Sequence, residues 1–206
     1  MSPSIAKTQP NRRRVVTWPE AVMPAAGYAV IADEGYRTER YHNRQTGVSV
    51  PALVAAADRN HLLDLFLALL DPLGSVVDVY LESSHTNASA TGRCLRRESI
   101  DVPVLASYLC DFEDCLLNDG CTAVTVAGLR SPVEVQLDEH KHLIVYAWER
   151  KIFARIMKDF GLRRRDDLVL LFDVPHVHRS APEHADQHSE LANCLGMTDY
   201  RRVVTG

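Results

Sequence analysis

Apolar positions recur along this chain with three periods, and each period predicts a different kind of element. Residues 59–70, RNHLLDLFLALL, are apolar on nearly every side, which predicts a helix buried on more than one face. Asp58 is placed to cap it, and Pro72 and Gly74 stop it. Val102, Leu105, Leu109, Phe112 and Leu116 fall at helical spacing and predict one helix over 102–118. Asp101 would cap that helix, Pro103 would sit in its first turn, and Gly120 would follow its last. Ile152, Phe153, Ile156, Met157 and Phe160 predict an amphipathic helix facing inward and ended by Gly161. Ser180 and Glu183 form a capping box for a last helix at 181–195, closed by Gly196.

Alternation with period two predicts strands at 75–82 and 121–128, and two more within 131–147 joined by a tight turn at Glu139–Lys141. DLVLLFD, 167–173, is a continuous apolar run and reads as a central strand buried on both faces. Residues 27–50 read as a hairpin around Asp33–Gly35 with a short strand after Gly47, and Pro51 as a helix opener. The small, polar stretch 84–99 reads as a loop.

From residue 58 the order is α-β-α-β-β-β-α-β-α, which predicts an α/β domain. Its mixed sheet would have about five to seven strands, covered by helices in a two- or three-layer sandwich. Residues 1–17, polar and basic, are expected to form a flexible arm. Residues 18–206 would form one domain, with 18–57 a β-rich N-terminal extension.

Composition narrows the function classes. The 206 residues are 46% hydrophobic and 24% charged, ample for a core. A net charge of −4 disfavours a nucleic-acid partner. The most apolar stretch has a core of nine residues, against about 20 for a membrane span. Prolines 19 and 24 interrupt any secretory h-region, and the five dispersed cysteines read as reduced thiols, so a cytoplasmic protein is expected. A homodimer is the partner compatible with this composition.

Three polar clusters can carry chemistry. The first lies on the helix at 102–118, where Asp111 and Asp114 share a stripe with Ser107 and Asn118 and offer hard oxygen ligands. Carboxylates so near a helix C-terminus oppose its dipole, so arginines such as Arg96, Arg97 and those at 163–165 are expected to offset them. The second is the turn Asp138, Glu139, His140, Lys141, His142. The third is the histidine-rich stretch with His176, His178, His184 and His188. A His-Val-His run in extended chain aims both imidazoles to one side, as a metal site needs.

The sequence has no HExxH, no paired CxxC, no Gly-rich phosphate loop and no GxSxG. Carboxylates beside Cys110, Cys115 and Cys121 disfavour a thiolate nucleophile. No residue is therefore assigned a catalytic role. The leading expectation is a non-catalytic binding or regulatory module. The alternative is a divalent-metal-dependent hydrolase-like enzyme, its ion held by His140, His176 and His178 with Asp111, Asp114 or Asp138, and with Glu139, His142, His184 and His188 as secondary candidates. That alternative requires 111–119, 138–142 and 176–188 to meet at one rim of the sheet.

Overall fold

The computed structural model describes residues 16–28, 33–42, 47–85 and 93–200, so nearly all of the expected basic arm lies outside the described residues. The elements, in chain order, are β1 (Val22–Pro24), β2 (Gly35–His42), β3 (Ser49–Ala56), α1 (Arg59–Leu70), β4 (Val76–Ser83), β5 (Arg93–Asp101), α2 (Val102–Asp111), α3 (Glu113–Asn118), β6 (Thr122–Gly128), β7 (Glu134–Leu137), β8 (Leu143–Tyr146), α4 (Lys151–Asp159), β9 (His176–His178), α5 (Pro182–Cys194) and β10 (Thr198–Asp199). Eight strands form one sheet in the order β10-β5-β4-β6-β7-β8-β3-β2, and β1 and β9 form a separate ribbon. Its ladders are antiparallel, apart from one isolated parallel bridge between Tyr36 and Arg164.

The mixed α and β class expected from the sequence is observed, as an α+β fold. Its main sheet is antiparallel with eight strands, not mixed with five to seven, and the helices occupy one face. Leu53, Val79, Leu81, Val124, Val135 and Val145 turn to that face, where they meet Phe66 of α1, Leu109 of α2, Phe153 of α4 and Leu191 of α5. Among the described residues the other face is covered only in part. Val54, Ala56 and Ile144 there pack against Leu168, Leu170, Phe172 and Trp18. Residues 167–173 are therefore a strap over the sheet, ending in a single 3-10 turn, and not the central strand their composition suggested. A continuous apolar run reports burial on several sides, and a strap lying on a sheet is buried as fully as a strand within one.

Other expectations are corrected for local reasons. Pro51 lies in β3 at the end of the ladder to β8, where its carbonyl accepts the Ala147 N–H at 3.2 Å and its missing N–H gives no bond in return. Within the 18–57 segment, β2 and β3 belong to the main sheet. The expected loop at 84–99 contains most of β5. Only Leu95 and Ile100 of β5 reach the core, and Arg96 reaches across to stack on Tyr80 and Tyr200, 5.4 and 5.5 Å from their ring centres. Two residues of β5 oppose Asp78 in a bulge, where Ser99 adopts φ 54° and donates its N–H to the Asp78 carboxylate at 2.9 Å. Ile152, expected inward, is exposed.

The expected helix at 102–118 is two helices. The chain breaks at Phe112, which puts Glu113 and Asp114 in the first turn of α3, at the positive end of its dipole. The conflict with a helix C-terminus disappears for Glu113 and Asp114 without arginines, while Asp111 remains at the C-terminal end of α2, exposed to solvent. Arg96 pairs with Asp78 and Glu98, Arg164 with Asp166, and Arg165 with Asp33 and Asp167. At α5 the N-cap is Ala181, whose N–H donates to His184 Nδ1 at 3.2 Å, in place of the Ser180/Glu183 box.

Asp58 caps α1 as expected. Its carboxylate accepts the N–H groups of Asn60 and Thr17, both at 2.9 Å, and so ties the chain before β1 to the helix. Asp58→Ala is expected to cost about 1–2 kcal/mol in urea unfolding. Burial alone would raise the Asp58 pKa, but these N–H donors hold it below the usual 3.8. Its contribution is thus present above that value and lost as the pH falls below it, and the alanine variant should show a shallower acid limb.

Candidate metal centre

The β7–β8 turn builds the site from one unusual backbone position. Asp138 accepts the Lys141 N–H at 3.0 Å, and Lys141 itself has φ 63°, where glycine is the common occupant. What holds a lysine there is its side chain. Lys141 runs inward, 1% exposed, and its Nζ donates to the Thr122 carbonyl at 2.8 Å, facing the carboxylates of Asp119 and Asp138. Burial pulls its pKa down to about 8 against the opposing pull of those two carboxylates.

Asp138 organises the turn. Its Oδ1 accepts the His142 N–H at 2.7 Å and its Oδ2 stands 3.1 Å from His140 Nδ1. Burial would raise its pKa, yet His142 and His140 together keep it well below the carboxylate range. His140 shifts the other way: burial lowers it, but Asp138 outweighs burial. Glu139, mostly solvated, comes within 3.9 Å of His140 Nδ1.

The ribbon brings the second half of the site. In β1–β9, Val22 pairs with His178 and Pro24 with His176, so both imidazoles leave the ribbon on one side. His176 Nδ1 lies 2.8 Å from the Val174 carbonyl, and His178 Nδ1 lies 2.5 Å from the Gly120 carbonyl. Gly120 also donates its N–H to the Arg179 carbonyl at 2.7 Å. A Cβ at Gly120 would stand 2.3 Å from the Ala21 carbonyl, so only glycine lets the ribbon dock.

Each of the three Nδ1 atoms faces an oxygen acceptor, which fixes the proton on Nδ1 and leaves the lone pair on Nε2. The Nε2 atoms of His140 and His176 then face each other at 3.1 Å. One ring nitrogen from each of His140, His176 and His178 lies within 4.8 Å of the others, with His140 and His176 half-buried and His178 exposed. Two facing lone pairs repel unless an electrophile sits between them. One proton can bridge two nitrogens; a cation can serve three.

The remaining candidates are distributed around this centre. His142 is fully buried, its Nε2 accepts the Leu171 N–H at 3.3 Å, and its ring stacks against His140 with centres 5.9 Å apart. Phe172 meets both rings edge-on and is itself covered by the Arg37 guanidinium, which holds Asp173 through two hydrogen bonds of 2.5 and 2.8 Å. The strap therefore buttresses the turn.

Asp111 is exposed on α2. Asp114 is exposed on α3, where it accepts from Asn118 Nδ2 at 2.6 Å and stands 3.9 Å from His184 Nε2. Neither aspartate is grouped with the three imidazoles. His184 serves the cap of α5, and His188 is buried beside His85.

A second group escaped the sequence reading. His85 Nε2 lies 2.9 Å from Asp119 Oδ2, and Cys121 is within 4.8 Å of both. The signal available was the Asp119-Gly120-Cys121 run, but nothing in the sequence ties it to a histidine 34 residues earlier. None of the five cysteines forms a disulfide. Among the described residues no helix is long and apolar enough to cross a membrane. No protein-family model, curated protein or solved structure matches this chain.

Proposed function

We propose that the rim of the sheet holds a divalent metal of the zinc class on His140, His176 and His178, and that the protein is a metal-dependent hydrolase-like enzyme. One observation carries the reading: one nitrogen from each of three imidazoles converges within 4.8 Å, while the Nδ1 atoms of the three rings face oxygens of Asp138, Val174 and Gly120. Outer partners of this kind orient ligating histidines and raise their basicity. Three nitrogen donors suit zinc and leave a fourth position for water or substrate, the arrangement of catalytic rather than closed structural sites. A bound ion would polarise a carbonyl or phosphoryl oxygen and lower the pKa of water toward about 7.

The chain's own residues divide the remaining work. Asp138 holds the His140 proton on Nδ1 and balances the charge gained at the ring. Exposure of His178 gives solvent and substrate access to the open side. A groove of about 320 Å³ runs beside the ribbon, lined by Trp18, Val22, Met23, Leu171 and Arg179. Its mostly apolar wall also carries both Glu20 and Arg179, so it suits an apolar group beside a polar one. A non-catalytic module would use the same ion only as a cross-link, and a fourth protein ligand is then expected in place of the open side.

Elemental analysis of the untagged protein should find at least one zinc, manganese or iron per chain. Chelation should abolish, and the same metal restore, hydrolysis of an activated ester or phosphate ester. A protein that purifies metal-free and whose melting temperature ignores added divalent ions overturns the metal centre. A loaded protein inert toward both ester classes overturns the hydrolase in favour of the cross-link.

A further inference from the structure

Gly120 separates two clusters. Its carbonyl faces His178 of the three-imidazole centre, while its neighbours Asp119 and Cys121 belong to the other. Asp119 is wholly buried. Its Oδ2 accepts from Thr122 Oγ1 at 2.5 Å and lies 2.9 Å from His85 Nε2, and its Oδ1 accepts the Cys121 N–H at 3.1 Å. One donor atom each from His85, Asp119 and Cys121 falls within 4.8 Å of the others. Beside them His188 is 4% exposed, its ring edge-on to His85 with centres 6.2 Å apart, and its Nε2 has no hydrogen-bond partner among the described residues.

We propose that His85, Asp119 and Cys121 form a second, thiolate-containing metal site, separate from the three-imidazole centre. The donors are one nitrogen, one oxygen and one sulfur. Magnesium and calcium take oxygen shells, whereas a mixed set with a soft sulfur selects zinc-class ions. The orphaned Nε2 of His188 is the second observation pointing to a ligand. A buried ring nitrogen without a partner is disfavoured, and this one belongs to the ring packed against His85.

A bound cation is ligated by the Cys121 sulfur as thiolate. As the sulfur–metal bond forms, the thiol proton leaves to solvent. His85 exchanges its hydrogen bond to Asp119 for coordination through Nε2: a neutral ring with its proton there moves it to Nδ1 by way of solvent, with no net release, and a doubly protonated ring gives one proton to solvent.

Cobalt(II) reports on the two sites separately, because only the second contains sulfur. Titrating the chelator-stripped full-length chain should give a thiolate-to-cobalt charge-transfer band in the near ultraviolet and two bound equivalents. Cys121→Ser should lose the band and one equivalent. His176→Ala should keep the band and lose the other equivalent, so either site can fail without the other. A single equivalent with no band overturns the second site, as does a band that survives Cys121→Ser. If the serine variant fails to fold by circular dichroism, zinc-edge X-ray absorption of the parent decides: a shell without sulfur overturns the proposal.

Discussion

Replacing His176 with alanine is expected to remove the metal response of the three-imidazole centre while leaving the metal-free fold at least as stable as the parent. The two halves of that result have one cause. Without an ion, the facing Nε2 atoms of His140 and His176, 3.1 Å apart, repel unless the pair takes up a bridging proton. Deleting one ring removes that repulsion. With an ion at 1,000 times its dissociation constant, the parent should gain about 4 kcal/mol of unfolding free energy, since only the folded chain assembles the ligands. His176→Ala should lose most of this, its affinity reduced about 100-fold or more by loss of one of three donors. Thermal melts of both proteins in chelator and in zinc check the prediction. A structural histidine would give the opposite pattern: a destabilised variant in chelator, and equal zinc responses.

Asp138→Ala should be the most damaging single change near the site. The carboxylate is buried, it accepts from the His142 backbone and pairs with His140, and it faces the fully buried Lys141 ammonium. Removing one charge from a buried set leaves the others uncompensated, at about 3–5 kcal/mol. Urea unfolding in chelator reads that loss. Asp138→Asn keeps the shape and the acceptor oxygen, so it should retain more stability but bind zinc about 10–100-fold less tightly. A loss of stability below 1 kcal/mol in the alanine variant would mean that Lys141 and the two imidazoles do not depend on this carboxylate.

The legible parts of this chain are those whose pattern is local. Helix α1 was bounded by its own cap and by Pro72 and Gly74, and the β7–β8 hairpin by two alternating runs around a short polar turn. The extended His-Val-His segment was also legible, because side-chain alternation in a strand is a property of the backbone. The misreadings have a common origin. Strand β5 carries its neighbours' chemistry on its polar face, with Arg96 over Tyr80 and Tyr200, and so looked like a loop. The strap at 167–173 looked like a strand because its apolar residues meet the uncovered half of the sheet. The break at Phe112 leaves the helical spacing of apolar residues almost unchanged, so periodicity passed over it.

The sequence by itself determined the secondary elements with strong periods, the mixed α and β class, and the inventory of side chains able to bind a cation. Tertiary structure alone decided which of them meet. His140 and His176 are 36 residues apart, and what joins them is a glycine at 120 small enough for the ribbon to dock and an inward lysine that fixes the turn. Asp111 and Asp114, equally eligible by residue type, ended on a solvated helix surface. Ligand chemistry is encoded residue by residue, but convergence depends on long-range packing and on where each ring's second nitrogen finds its acceptor.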